Sequence, residues 1–181
     1  MDVGVELVAS EGAQALTLRE IARRAGVSHG APRRYFPTHL ELLSAIARRG
    51  FADLGERAGR AIGDGTASPR AQVTALGRVY LEFALDNPGM YELMFRHDLL
   101  ESGHLGLRTT SLPLFGVLVD LVGRARPDVD ARLVAGALWA NLHGLVQLWR
   151  WGSLQLATGA DDFVPLLRSA LDAHLGPEAA L

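Results

Sequence analysis

Apolar residues recur along the chain at three- and four-residue spacing, and nowhere alternate one-in-two as a half-buried strand requires. Glycine, proline and an Asn-Pro step punctuate the pattern, so helices are predicted throughout. The first carries Val5, Val8 and Ala9 and stops at Gly12. A second opens at Thr17, with Glu20 three residues on to complete a capping box. Its inward face is Leu18, Ile21, Ala22 and Ala25, spaced i, i+3, i+4, i+7. Gly26 suits a left-handed cap, after which Val27 can fold back onto the helix. Ser28 caps a third, short helix that tolerates Pro32 near its first turn, and Pro37 blocks continuation beyond Phe36. Thr38 and Glu41 form another capping box, opening a long fourth helix with Leu40, Leu43, Ile46, Ala47 and Phe51 on its apolar side.

The remainder reads the same way. Gly63 to Pro69, "GDGTASP", is a linker in which Ser68 caps the next helix and Pro69 lies just inside it. That helix runs to the Asp86–Pro88 step, and "GMYELMFR" forms a short one after it. A loose segment near Ser102–Gly106 leads to a helix ending before Pro127. Between Asp128 and Gly152 the pattern is apolar nearly all round, which predicts a central helix, and a last helix spans Asp161 to Leu175. There is no internal repeat and no low-complexity segment.

Composition adds limits. The 181 residues include no cysteine, which excludes disulfides and thiolate metal sites. The amino terminus "MDVGVELVASEG" is acidic where a signal peptide is basic. The longest apolar stretch, Leu112 to Gly123, is broken by Pro113 and Asp120, short of the roughly 20 residues a membrane span needs. A soluble, cytoplasmic protein without a membrane partner is expected. The net charge of −2 is unevenly spread. Residues 51–181 carry net −4, whereas Thr17 to Arg49 holds seven arginines against Glu20 and Glu41, net +5. Local positive charge, rather than the total, attracts a phosphate backbone.

Two short helices joined at Gly26 make a helix-turn-helix, whose second helix enters the DNA major groove. Helix starts at Thr17 and Ser28 present N–H groups to phosphate oxygens. Ser28, His29, Gly30, Arg33 and Arg34 lie on the reading side before Phe36 anchors it. Gly30 allows close backbone approach, and Arg33 or Arg34 can grip guanine. Periodicity alone leaves open a helical hairpin with a solvated arginine face.

"LTLREIARRAGVSHGAPRRYFPTHLELLSAI" resembles the DNA-binding region of TetR-family transcriptional regulators, unbroken from Leu16 to Leu43. The resemblance implies an all-α protein. Residues 1–45 would be a three-helix DNA-binding domain (motif 17–36), and 46–181 a helical ligand-sensing and dimerisation domain. It implies that Thr17, Arg19, Ser28, His29, Gly30 and Tyr35 contact DNA or present the reading helix, while Ala22, Gly26, Val27 and Phe36 hold the motif together. Two positions depart from the family pattern. Arg33 stands where tyrosine is usual and can still bind phosphate; His39 stands where lysine is usual and should hold phosphate more weakly. Met1 falls inside the family's first helix, so either the true start lies upstream or the basic arm is trimmed.

"DNPGMYELMF" and "LWANLHGLVQLW", with Trp139, His143 and Gly144, resemble the WHG class of TetR-like sensor domains. The expected effector is small and largely apolar. Candidate contacts are Tyr80, Phe83, Met94, Phe95, Phe115, Trp139 and His143. Each has a plainer alternative as a core or interface side chain. Gly136, Ala140 and Gly144 form a small-residue stripe on the long helix. A homodimer through that helix and the last one, by Leu166, Leu167, Ala170 and Leu171, would place two reading helices about 34 Å apart. Catalysis is not expected. No two histidines stand three or four apart as helical metal ligands would, no nucleophile or phosphate-loop motif occurs, and no cofactor is implied. The rival reading is a helical small-molecule binder with weak or lost DNA binding.

Overall fold

The computed structural model describes residues 1–28, 30–96 and 106–177. Their regular elements are all helical, as expected. They are α1 (Asp2–Glu11), α2 (Leu18–Arg24), α3 (His39–Ile62), α4 (Pro69–Asp86), α5 (Pro88–Met94), α6 (Leu107–Ala125), α7 (Ala131–Arg150), α8 (Ser153–Thr158) and α9 (Val164–Leu175). Single 3₁₀ turns lie at Ala13–Ala15 and Pro32–Arg34. The chain forms two compact units, Met1–Leu54 with Asp86–Leu112, and Gly55–Leu85 with Pro113–Leu181.

In the first unit the core is built on α3, which buries every residue from Leu42 to Ala47 together with Gly50 and Phe51. Gly4, Leu7 and Val8 of α1, Ile21 and Ala22 of α2, and Met90, Tyr91, Leu93 and Met94 of α5 complete it. Burying a side chain such as Leu7 or Leu43 stabilises by about 1.5–3 kcal/mol. Two glycines mark close approaches. A Cβ on Gly89 would stand 2.3 Å from the Val8 carbonyl oxygen, and one on Gly50 would stand 2.6 Å from the Met94 sulfur. In the second unit α9 packs on α7, and Leu167 of α9 sits over Gly77 of α4, where a Cβ would come within 2.9 Å. Arg70 of α4 pairs with Asp172 of α9.

The Ser68 cap falls where the sequence places it, and Asp130, not expected from the sequence, caps α7. Ser68 Oγ accepts from Ala71 N at 3.2 Å, and the Asp130 carboxylate accepts from Arg132 N at 3.0 Å and Leu133 N at 3.1 Å. Other expectations need correction. Ala9 and Ala25 are exposed, because α1 turns Gly4, Leu7 and Val8 inward and α2 ends at Arg24. The predicted third helix is reduced to the Pro32–Arg34 turn. Pro32 has no N–H for the Ser28 carbonyl, which accepts from Ala31 N at 2.9 Å instead. The helix α8, over residues 153–158, was not anticipated, and α9 begins three residues later than expected. Of the loose segment at 102–106, only Gly106 lies within the described residues.

The long helix α7 is not central but two-faced. Ala135, Leu138, Leu142, Leu145 and Val146 are buried, whereas Leu133, Ala137, Ala140 and Leu148, and Trp151 just past its end, are exposed. Leu167, Ala170 and Leu171, expected at a dimer seam, are buried within their own unit. Gly89→Ala should lower stability by about 1–3 kcal/mol, since a rigid backbone oxygen occupies the space. Gly116→Ala, a helical position with nothing within 4 Å, should raise it by up to about 1 kcal/mol. Urea denaturation of the two variants checks the opposite signs.

Candidate nucleic-acid interface

Thr17 has extended backbone, and its Oγ1 accepts from Glu20 N at 3.1 Å to start α2. Two turns later the chain reverses at Gly26, which has φ +65°. Val27 N donates to Ala22 O at 3.0 Å and Gly26 N to Arg23 O at 3.3 Å, the paired bonds of a Schellman cap. Only the backbone of Val27 folds back; its side chain is exposed. The next element is the Pro32–Arg34 turn, extended by Phe36 N donating to Pro32 O at 2.9 Å. Pro32 is buried, so Arg33, Arg34 and Tyr35 face outward, Tyr35 at 79% exposure. A full capping box then opens α3: Glu41 N donates to Thr38 Oγ1 at 3.2 Å and Thr38 N to Glu41 Oε2 at 2.8 Å.

Of the residues expected to meet DNA, Thr17, Arg19, Ser28, Gly30, Arg33, Arg34, Tyr35 and His39 are exposed. His29 lies outside the described residues. Gly30 has nothing within 4 Å of a notional Cβ, so no neighbour among the described residues requires glycine there. Among the described residues Arg19, Arg33 and Arg34 have no side-chain hydrogen bond or ion pair. Arg23 and Arg24 differ. Both bond the Glu20 carboxylate at 2.6 Å, and Arg24 also reaches Glu11. Those two hydrogen-bonded guanidiniums hold the Glu20 carboxyl down from the ordinary 4.5 to about 2. Glu20 therefore does not return its carboxylate to Thr17, and the first capping box is half made. His39 Nε2 lies 2.5 Å from Leu16 O. The Glu11 and Leu16 contacts were missed because each joins residues far apart in sequence. The shortened reading element, by contrast, was signalled by Pro32.

In the second unit Tyr80, Phe115, Trp139 and His143 come together. Trp139 Nε1 donates to Tyr80 Oη at 3.2 Å, and Tyr80 Oη lies 2.9 Å from His143 Nδ1. Burial pushes the His143 pKa down. A neutral ring takes the tyrosine proton on Nδ1 and keeps its own on Nε2. The Phe115 ring is 6.1 Å from Trp139, centroid to centroid. Phe83 is buried beneath the Arg57 guanidinium, 5.4 Å from its ring centroid. Met94 and Phe95 pack in the first unit, Met94 at Gly50 and Phe95 against Phe51 and Tyr91.

Because the folded-state pKa of Glu20 is depressed, its stabilisation is present above pH 4.5 and is lost as pH falls toward 2. Glu20→Gln should flatten the decline of stability across that window, measured as urea midpoints at successive pH values.

The amino-terminal region, residues 1–46, matches the model for bacterial regulatory proteins of the tetR family. Residues 73–173 match the Tetracyclin repressor-like C-terminal domain. A solved protein of unknown function from Rhodococcus sp. RHA1 shares 26% identity, covering 95% of this chain and 89% of that one, with a TM-score of 0.74. The TetR-family transcriptional regulator PfmR from Thermus thermophilus shares the fold at 17% identity, with a TM-score of 0.69 and coverage of 97% and 96%. No curated protein matches the chain in sequence. Among the described residues no cluster of His, Asp or Glu is arranged to hold a metal ion, and no helix is long and apolar enough to cross a membrane. The family points to a regulator rather than an enzyme. The chain belongs to the TetR family, as a DNA-binding transcriptional regulator with a helix-turn-helix and a tetracycline-repressor-like carboxyl-terminal domain.

Proposed function

We propose that the protein is a homodimeric repressor that a small, largely apolar effector releases from its operator. Residues 1–45 read DNA in this scheme, and residues 46–181 sense and dimerise. The observation that carries the reading is the exposed trio Arg19, Arg33 and Arg34, which has no ion-pair partner among the described residues, beside Tyr35 on a helix-turn-helix frame. Cations left without internal partners are available to phosphates, and a mostly exposed tyrosine gains from meeting a sugar or base. Thr17, Ser28, His29 and Gly30 are assigned to the same surface. The alternative, a helical binder with weak DNA affinity, draws support from the internal ion pairs of Arg23 and Arg24.

The sensing residues proposed are Tyr80, Phe115, Trp139 and His143, where Trp139 and His143 both bond the Tyr80 hydroxyl and the Phe115 ring lies beside Trp139. Phe83, Met94 and Phe95 have weaker claims because core packing accounts for them. α3 is one continuous helix from His39 to Ile62 with residues in both units. An effector that prefers one position of its sensor end changes the population of DNA-competent forms. Dimerisation is assigned to the outward stripe of α7. Leu133 and Trp151 are each 71% exposed, and Gly136 and Gly144 have nothing within 4 Å of a notional Cβ. Leu156 of α8, at 90% exposure, extends the apolar surface.

Affinity for the promoter beside its own gene should fall steeply with salt. Arg33→Ala and Arg34→Ala should each flatten the slope of log K against log salt by about 0.9. Gly30→Ala should leave stability within about 0.5 kcal/mol yet weaken binding. Salt-independent affinity for every promoter fragment would overturn the DNA reading. The double substitution Leu133→Glu with Trp151→Glu should yield folded monomers by light scattering, with operator affinity lost alongside. A dimer that survives it places the seam elsewhere.

A further inference from the structure

We propose that His39 is a positioning residue, which clamps the reading segment from behind instead of binding phosphate. The inference rests on the DNA-binding reading above. Leu16 is fully buried and lies immediately before the Thr17 cap. Its carbonyl is outside the α2 ladder, which begins with Ile21 N donating to Thr17 O at 3.0 Å. Among the described residues the donor to Leu16 O is His39 Nε2, at 2.5 Å. A carbonyl only accepts, so Nε2 carries the proton in that bond. The ring can hold this position because the Thr38–Glu41 box fixes the first turn of α3 beneath it.

The clamp spans 23 residues and ties both ends of the segment from Thr17 to Thr38. That segment carries Arg19, Arg33, Arg34 and Tyr35. The other backbone bonds inside it are local: Val27 to Ala22 and Phe36 to Pro32 each close a single turn. They shape α2 and the Pro32 turn separately. The His39 bond sets where the start of α2 stands relative to the start of α3. With the donor removed, each turn persists but the spacing between Arg19 and the Arg33–Arg34 pair relaxes. The resulting loss is of fit to the duplex, with the number of neutralised phosphates unchanged.

Gln and Asn separate these roles by reach alone. Both are neutral amides, but the Gln amide nitrogen stands at the same number of bonds from Cα as His Nε2, and the Asn nitrogen at one fewer. Operator affinity and its salt slope are measured for the wild type, His39→Gln and His39→Asn at a temperature where circular dichroism shows all three fully folded. His39→Gln should keep the wild-type affinity within about twofold, and His39→Asn should lose about tenfold with an unchanged slope. Equal losses in both variants, or a slope flatter by about 0.9 in both, would make His39 a phosphate contact and overturn the clamp. Wild-type affinity in His39→Asn would also overturn it, leaving the bond only a structural role. A wild type with no salt-dependent binding would instead end the DNA-binding reading, and the inference with it.

Discussion

Gly26 turns through a left-handed backbone conformation, φ +65°, with nothing within 4 Å of a notional Cβ. Space is therefore not the reason for glycine; the dihedral is. An L side chain there would be strained, whereas glycine adopts the conformation freely. From that turn follow the two bonds that end α2, the reversal of the chain and the start of a second element within a few residues. Pro32 then limits that element to one turn and occupies its buried side. In a longer helix the two arginines that follow Pro32 would point in different directions around the axis. Here Arg33 and Arg34 have one outward exit.

The distribution of charge depends on this geometry. Counted along the sequence, the region around the turn is strongly positive, but the exposed pairs from Glu20 and Glu11 divide the arginines into two groups. Arg23 and Arg24 carry their counter-charges with them. Among the described residues Arg19, Arg33 and Arg34 do not, so the uncompensated positive charge sits on fewer groups than the count suggests. Exposed ion pairs are weak and exchange partners readily.

The carboxyl-terminal unit follows a different logic. Its long helix carries apolar residues on two opposed faces. One face is covered by the chain itself, where Leu142 lies near Gly77 and α9 packs alongside. Once that face is satisfied, Leu133 and Trp151 are left largely exposed and Leu148 partly so. A helix apolar on both sides reads as central when its neighbours are unknown. Its true position depends on how many neighbours one chain supplies.

Residue order alone determined the helical class, the caps at Thr17, Thr38 and Ser68, and the glycine turn between the first two reading elements. All of these depend on residues within four or five positions of one another, where spacing and backbone preference suffice. The family pattern from Leu16 to Leu43 was equally legible, because it is written in those local choices. Tertiary structure decided the rest: that His39 faces Leu16, that Arg24 meets Glu11, that Tyr80 reaches His143, and that Leu167 turns inward instead of toward a partner. Each joins residues well separated in sequence. Which of several compatible partners a side chain meets is set by how the helices pack, and helical periodicity defines a face without saying what lies against it.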